Sequence, residues 1–228
     1  MYESVKILNK ESDKSLKVKA IQGFDYAKKV QAVPVTTTEF YETCKSQPIV
    51  FTKSEAGEYS AMALLGLQQD TNLFVNDDGQ WQSGMYVPAF VRRYPFIFIK
   101  VEDKLALGFD DASGALNEDE GAPLFTESGE AAEGLDNVMK FMETYQQELL
   151  RTQELVKTLN EFGLLEAARV DGNLQGEEFA LSGFMRVNEA KFNDLEDDKV
   201  LQLAKLGINK LVVAHLISLS NLNKMIQL

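Results

Sequence analysis

The feature that most constrains the fold is a stripe of mostly apolar residues at helical spacing between positions 135 and 159. Their steps alternate between three and four residues, so they share one face of a helix of about 28 residues, roughly 40 Å long: Leu135, Val138, Met142, Tyr145, Leu149, Thr152, Val156 and Leu159. Gly163 suits the left-handed position after such a helix, and Leu164 can pack back on Leu159. Because Thr152 interrupts a stripe of only about four heptads, we predict packing within the chain rather than a dimeric coiled coil.

The chain before this helix has patterns typical of β-hairpins. Short apolar, β-prone runs flank turn-forming residues at 49–67, 72–81 and 95–109. Thr36 and Glu39 have the spacing of a capping box and predict a short helix directly after them. The N-terminal half is therefore predicted to be rich in strands.

The pattern changes on either side of the long helix. Residues 110–134 are acidic and rich in Gly and Ala, and we interpret them as a surface connection, or a mobile lid, with Leu124 as an apolar anchor. After the helix, residues 167–187 have the pattern of another hairpin. Asn188 is predicted to cap one short helix and Asp194 the next, because their side-chain oxygens accept from free backbone N–H groups.

The last segment, 211–222, is predicted to be a mostly buried helix. Together these patterns predict an α+β fold in which a β-hairpin-rich N-terminal half packs with a long amphipathic helix and a mostly helical C-terminal segment. A chain of 228 residues suits a single domain, 1–228, with possible sub-halves at 1–133 (strand-rich) and 134–228 (helix-rich).

Charge and cysteine content limit the partners and the compartment. The formal net charge is −12, so the average field opposes nucleic acid and anionic membranes, and we expect no nucleic-acid partner. No run reaches the roughly 18 apolar residues of a transmembrane segment, and the first residues lack the apolar core of a secretory signal. The single cysteine, Cys44, fits a reducing compartment. We expect a cytoplasmic protein, with signal-independent export as the alternative.

Motifs of the common enzyme classes are missing from the sequence. It has no Gly-x-Gly start of a dinucleotide fingerprint, no Gly-Lys-Ser/Thr of a phosphate loop and no Gly-x-Ser-x-Gly elbow. One His and one Cys cannot build a zinc site of such ligands or a two-His iron centre. An EF-hand loop registered on Gly79 would have Phe74 and Met85 at its first and last ligand positions. The sequence predicts no cofactor and no metal site.

His215 and two adjacent arginines are the side chains best suited to catalysis or ligand binding. His215 lies on the apolar side of the last helix, which is typical of a core or interface imidazole bonded to a backbone carbonyl, but as the only His it is also the candidate general base. Arg92 and Arg93 can bind a carboxylate or phosphate because guanidinium is planar and bidentate. In a chain with 35 acidic residues, they can also pair internally.

Aromatic residues near the arginines complete the predicted ligand-binding set. Tyr94 follows the arginines directly, Tyr86 precedes them, and Trp81 is either a core anchor or the floor of a binding surface. Asp110 begins an acidic cluster, running to Glu120, which we interpret as a solvated face. The predicted partner is a protein or a small anionic ligand, and the oligomeric state is left open.

The same segments carry a resemblance to a known family. The longest block is Tyr86-Val87-Pro88-Ala89-Phe90-x-Arg92-Arg93-Tyr94-Pro95-Phe96. Shorter blocks occur along the rest of the chain: Leu8-Asn9-Lys10, Phe24-Asp25-Tyr26-Ala27, Pro34-Val35 with Glu39-Phe40, Pro48-Ile49-Val50-Phe51, Leu64-Leu65-Gly66-Leu67, Asn72-Leu73-Phe74-Val75, Gly79-x-Trp81, Gly121-x-x-Leu124-Phe125, Gly183-Phe184 and Ala214-His215-Leu216-x-Ser218-Leu219. With these blocks the chain resembles the SapC family of bacterial proteins over nearly its whole length.

The resemblance implies a biological setting rather than a particular reaction. SapC family proteins are associated with bacterial surface-layer loci, and similar proteins occur near outer-membrane nutrient receptors and flavin-dependent halogenase-like enzymes. Family members often carry a His soon after the Leu-Asn-Lys block, where this chain has Glu11-Ser12-Asp13. A role that depends on that His is therefore not carried over.

Two main hypotheses about function follow. The first is a non-enzymatic accessory or binding protein linked to surface-layer or envelope nutrient-uptake systems, with Arg92 and Arg93 holding a partner or ligand. The second is an enzyme or enzyme subunit that acts beside a halogenase or hydroxylase on a small molecule or peptide, with His215 as base and carboxylates such as Asp110 in support. It requires these groups to converge on one pocket. A structural component of the surface layer would need export. We favour the binding protein.

Overall fold

The computed structural model describes residues 1–174 and 176–226. The strands are β1 (Val5–Ile7), β2 (Lys17–Val18), β3 (Ala32–Pro34), β4 (Ile49–Lys53), β5 (Tyr59–Leu64), β6 (Phe96–Val101), β7 (Lys104–Asp110), β8 (Leu116–Asn117), β9 (Ala122–Pro123), β10 (Leu165–Leu174) and β11 (Glu177–Val187). The α-helices are α1 (Phe40–Thr43), α2 (Ala89–Arg92), α3 (Glu133–Glu161), α4 (Glu189–Asn193), α5 (Asp197–Leu206), α6 (Ile208–Ser218) and α7 (Asn221–Met225). The predicted α+β class, with its long helix and helical C-terminal segment, is confirmed.

The strands are arranged in antiparallel sheets. The largest has the order β10-β11-β4-β5-β3, a second has the order β1-β7-β6, and a third joins the short strands β8-β2-β9. The hairpins predicted at 49–67, 95–109 and 167–187 are β4–β5, β6–β7 and β10–β11. Each was recognisable because strand propensity and turn residues both lie within one short segment.

Irregular segments were predicted less well. The hairpin expected at 72–81 is reduced to one bridge, between Val75 and Trp81. Residues 110–134, predicted as a connection, contain β8 and β9, which pair with β2 on its two sides, while Leu124 is buried as expected. Asp194 was the wrong cap for α5: it ends α4 by donating its N–H to a carbonyl of that helix, and the N-cap of α5 is Glu196, two residues later.

The predicted apolar stripe of α3 is buried within the chain. Leu135 and Met142, near its beginning, belong to a cluster with the β6–β7 hairpin. Val156 and Leu159, near its end, belong to the larger cluster that includes residues of the five-stranded sheet. The helix therefore crosses both clusters, which confirms intramolecular packing. The division into sub-halves at residue 133 stays a prediction.

Both the polar position in the stripe and the end of α3 have local explanations. The hydroxyl of Thr152 accepts the backbone N–H of Thr37 at 2.9 Å, so a buried donor is satisfied. At the C-terminus Gly163 has φ +69°, and Leu164 N–H donates to Leu159 O at 3.0 Å. This is the predicted Schellman arrangement.

No single helix in the part of the chain that the structure describes is long and apolar enough to cross a membrane. The segments Asp197–Leu206 and Ile208–Met225 reach the required length and composition only as a pair, and they are bent by 88° with respect to each other.

Candidate functional site

A cavity of about 530 Å³ opens beside the C-terminal end of α2. Its walls come from the chain after β2, the loop at 23–26, the start of β6 and one face of α3. Arg92, Arg93 and Tyr94, three of the predicted ligand-binding residues, lie in its lining together with Lys19. No acidic residue is among the described lining residues. We call this cavity the arginine pocket.

A buried glutamate positions the short helix that carries the arginines. Glu39 Oε1 accepts the backbone N–H of Ala89 at 2.7 Å and the hydroxyl of Tyr86 at 3.0 Å. Its Oε2 accepts both the N–H and the hydroxyl of Thr36 at 2.9 Å, which includes the predicted capping-box contact. Because Pro88, the residue before α2, has no side-chain oxygen, Glu39 supplies the acceptor that the first turn needs.

Arg92 is exposed but its guanidinium is held in place. Its Nε donates to Val87 O at 3.0 Å and its Nη2 donates to the Tyr86 hydroxyl at 3.2 Å. The guanidinium carbon lies 5.6 Å from the ring centroid of Phe141 on α3. Burial, with the negative charge of Glu39, raises the pKa of Tyr86 to about 12. Tyr86 therefore stays protonated and links Arg92 to Glu39.

Arg93 is half-buried among aromatic rings. Its guanidinium carbon lies 4.1 Å from the ring centroid of Phe90, 5.4 Å from that of Tyr145 and 5.7 Å from that of Tyr2. Its Nε is buried and has no hydrogen-bond partner within the described residues. The rings stabilise the cation through their faces, but none of them carries the negative charge of a carboxylate.

Within the described part of the chain, neither arginine has a carboxylate partner. Across residues 1–174 and 176–226, no Asp or Glu oxygen lies within 4.0 Å of a nitrogen of Arg92 or Arg93. Lys19, the third cation of the pocket, lies 3.7 Å from Glu120, and both of these side chains are solvent-exposed. The alternative of internal ion pairing for the arginines therefore lacks a partner, and their role in ligand binding stays a prediction.

Tyr94 forms a wall of the pocket and is fixed from behind. Its ring stacks on that of Tyr26 with centroids 4.1 Å apart, and its hydroxyl donates to Asp110 Oδ2 at 2.8 Å. Burial raises the pKa of Tyr94, and the bond to Asp110 raises it further. Tyr94 is therefore a neutral side chain whose hydroxyl is already engaged.

The prediction that the acidic cluster is a solvated face is wrong for Asp110. Asp110 is fully buried, whereas Glu118 and Glu120, further along the cluster, are exposed. Burial alone raises the pKa of Asp110, but the N–H groups of Ser4 at 2.7 Å and Glu3 at 3.2 Å, with the Tyr94 hydroxyl, lower it overall. Its oxygens connect the N-terminal segment to the pocket wall instead of facing a ligand.

Trp81 and Tyr86 do not line the pocket. Trp81 is 8% exposed and packs between Phe24 at 5.5 Å and Phe74 at 5.8 Å, measured between ring centroids. This packing matches the core-anchor alternative. Tyr86 acts one layer behind the pocket, as the link between Arg92 and Glu39.

His215 lies in a different environment from the arginines. Its Nε2 accepts the N–H of Val187 at 3.0 Å, so its Nδ1 carries the proton and donates to Ile49 O at 2.8 Å. It is fully buried, with the Phe51 ring centroid 4.7 Å away. Burial, with a smaller effect of the positive charge on Arg186, lowers its pKa to about 4. The imidazole is therefore neutral and joins β4 to β11.

The enzyme hypothesis required convergence that the structure does not provide. His215 is absent from the lining of the arginine pocket, and both of its nitrogens are bonded to backbone. The described residues contain no group of three His, Cys, Asp or Glu side chains arranged to hold a metal ion. The version of the hypothesis with His215 as a base beside the arginines therefore lacks a shared pocket among the described residues.

Sequence reasoning missed the contributions that come from distant segments. Val138 and Phe141 of α3 line the pocket, as do Phe24 and Tyr26. The only signal for the second pair was its place in a block shared with the SapC family. No pattern in the sequence indicated that Glu39 would accept the backbone N–H of Ala89, 50 residues away at the start of α2.

Comparison with known proteins identifies the family. A sequence model of the SapC family matches residues 8–225 of the 228. No curated protein and no solved structure matches the chain. The longest block of the resemblance, 86–96, forms α2 and one wall of the arginine pocket, and its Tyr94–Pro95 peptide bond is cis. The match extends over nearly the whole chain, and the protein therefore belongs to the SapC family.

Proposed function

We propose that this SapC family protein is a non-enzymatic accessory or binding protein, linked to bacterial surface-layer or envelope nutrient-uptake systems, which holds a protein partner or a small anionic ligand in the arginine pocket. One observation carries the proposal. Arg92 and Arg93 face a cavity of about 530 Å³ whose described lining has no acidic residue, in a chain whose net charge is −12.

This arrangement is informative because acidic groups are abundant elsewhere. With 35 acidic and 23 basic residues, a pair of arginines that only stabilised the fold would be expected to find a carboxylate nearby. Leaving a half-buried guanidinium without an anion is unfavourable. A ligand that supplies the anion makes a charge-assisted contact, which is stronger than a hydrogen bond between neutral groups.

The setting is part of the same proposal. The link to surface-layer or envelope systems rests on SapC family membership. The single cysteine of the chain, Cys44, is not in a disulfide. This supports a reducing compartment, and we therefore propose that the protein acts in the cytoplasm.

Affinity capture from native cells tests this function. A tagged wild-type chain, Arg92→Ala, Arg93→Ala and the double variant would be used to capture partners from soluble and envelope fractions, followed by mass spectrometry. Arg169→Ala is the matched control, because Arg169 is exposed and paired with Asp171 on the β10–β11 hairpin. We expect the wild type and the control to recover the same partner in stoichiometric amount and the pocket variants to lose it.

Two outcomes contradict the proposal. One is equal recovery of the partner by the wild type and by the double variant with an unchanged circular dichroism spectrum. The other is recovery of the wild-type protein alone together with no binding of any anionic compound. Unfolding curves in urea would separate a lost contact from a lost fold.

A further inference from the structure

The two arginines of the pocket differ in how many of their donors are available. Arg92 already donates to Val87 O and to the Tyr86 hydroxyl. The Nε of Arg93 is buried and has no acceptor among the described residues. Buried donors in native proteins are nearly always satisfied. Arg93 lines the cavity without a carboxylate partner among the described residues, so an incoming anion would neutralise its charge.

The surroundings of Arg93 also make its charge more effective. The rings of Phe90, Tyr145 and Tyr2 lie beside its guanidinium, and the residue is only partly exposed. Ion pairs and hydrogen bonds strengthen when water is excluded. Arg92 is exposed, so solvent and salt screen its attraction to an anion. The geometry therefore assigns the main anchor to Arg93 and a supporting role to Arg92.

The rest of the pocket suits an apolar body. Its volume of about 530 Å³ lies within the range typical of small-molecule sites. The apolar part of the lining includes aromatic and aliphatic side chains from three segments: Ile21, Phe24, Val138, Phe141 and Met142. A ligand with one or two rings would be covered by these walls while its anionic group reached Arg93.

The donor set favours a carboxylate over a phosphate. Phosphate sites generally use several backbone N–H groups, often at the N-terminus of a helix. Here the pocket adjoins the C-terminal end of α2, where Arg92 is the last residue, and the third cation, Lys19, lies beside Glu120. A guanidinium binds either anion in a bidentate manner, so the preference for a carboxylate rests on the position of the pocket at a helix C-terminus.

We propose that the ligand class of the arginine pocket is a monocarboxylate on an apolar, ring-sized body, anchored by Arg93. This inference rests on the proposed binding function and narrows it to one chemistry. Binding should therefore depend both on the carboxylate of the ligand and on the planar guanidinium of Arg93.

Isothermal titration calorimetry with three probes tests the inference on the full chain. The probes are 2-naphthoate, the neutral 2-naphthalenemethanol of similar shape, and inorganic phosphate. We expect 2-naphthoate to bind at least about 30-fold more tightly than the alcohol, since a charge-assisted hydrogen bond changes affinity by roughly 10- to 100-fold. Phosphate in equal amount should not displace it.

Substitutions then identify the anchor. Arg93→Ala should weaken 2-naphthoate binding at least about 30-fold and Arg92→Ala about threefold to fivefold, while Arg169→Ala leaves binding unchanged. Arg93→Lys keeps the charge but not the fork, and should lose about tenfold. It also serves as the test variant if Arg93→Ala does not fold.

Several results would overturn the inference. Equal affinity for 2-naphthoate and the alcohol, unchanged affinity in both Arg93 variants, or displacement by phosphate would each exclude an Arg93–carboxylate site. If Arg93→Ala still abolishes capture of the native partner while 2-naphthoate fails to bind, the ligand class is wrong and the binding function stands. If neither measurement responds to Arg93, both proposals fail.

Discussion

His215 and Arg93 are both polar side chains in apolar surroundings, and they differ in whether the protein satisfies them. Each nitrogen of His215 is bonded to a backbone group, at 2.8 and 3.0 Å, and the ring lies in no described part of the pocket lining. The Nε of Arg93 is buried without an acceptor, and the residue lines a cavity. A buried group with complete hydrogen bonds serves the fold, whereas an arginine that lines a cavity without a carboxylate partner among the described residues is suited to binding an anion.

The largest expected effect tests the structural side of this comparison. His215→Ala removes both hydrogen bonds and leaves Val187 N–H and Ile49 O buried without partners, in addition to a cavity beside Phe51. We expect the free energy of unfolding to fall by about 4 kcal/mol. Urea denaturation measures it, with Val213→Ala, an exposed position on the same helix, as control.

The counterpart on the binding side is Arg93→Ala in the same denaturation assay. It should lower the free energy of unfolding by about 1 to 2 kcal/mol, because the contacts with three aromatic rings are lost but no ion pair is. A loss comparable to that of His215→Ala would show that Arg93 is a structural residue and would remove the contrast between the two sites.

Glu39→Ala is expected to affect both fold and pocket. The carboxylate accepts from two backbone N–H groups, those of Thr36 and Ala89, and from two hydroxyls, so its removal should lower the free energy of unfolding by about 3 kcal/mol. Because it also positions α2, the folded fraction should bind 2-naphthoate more weakly. Glu42→Ala, at an exposed position of α1, is the control. Loss of stability with unchanged affinity would show that Arg92 and Arg93 are oriented without Glu39.

Features of the fold could be predicted from the sequence where the residues that determine them lie close together in the chain. The stripe of α3 and the hairpin β6–β7 were predicted because their determinants lie within one segment. Arg92, Arg93 and Tyr94 were found together for the same reason, as neighbours in one block. The two-residue strands β8 and β9 were missed, because each depends on pairing with β2 about a hundred residues earlier in the chain.

The candidate site was predicted only in part, for a similar reason. Residue types alone could not decide whether Trp81 was core or surface, or whether His215 was structural or catalytic. Those choices depend on which backbone groups and rings surround the side chain, and these come from other elements such as β4 and β11. Phe141 is not one of the stripe positions, and only the packing of α3 places it opposite Arg92.

The pH dependence of stability gives a smaller and more specific test of His215. Its pKa is about 4 in the folded protein against 6.5 for an ordinary His, so protons bind preferentially to the unfolded chain. The contribution to stability is complete above pH 6.5 and is lost as the pH falls towards 4. At pH 5 the loss should be about 2 kcal/mol relative to pH 7.

Comparison with His215→Gln isolates this contribution, because His215 is the only His in the chain. Between pH 7 and pH 5, the free energy of unfolding of the variant should fall by about 2 kcal/mol less than that of the wild type. If the free energies of unfolding of the wild type and the variant changed with pH in parallel, the folded state would accommodate a charged imidazole. His215 could then not serve as the example of a buried group fixed in one hydrogen-bonded state.

The smallest expected effect concerns Trp81, which the sequence placed among the ligand-binding residues. Trp81 packs on Phe24, and Phe24, not Trp81, lines the pocket. Trp81→Phe should therefore lower the free energy of unfolding by about 1 kcal/mol through imperfect packing, while calorimetry shows the affinity for 2-naphthoate changed by less than about twofold. Phe24→Ala, in contrast, should clearly lower the affinity for 2-naphthoate. If Trp81→Phe weakened binding as much as Phe24→Ala, the boundary between core and pocket would lie one layer deeper than the lining indicates.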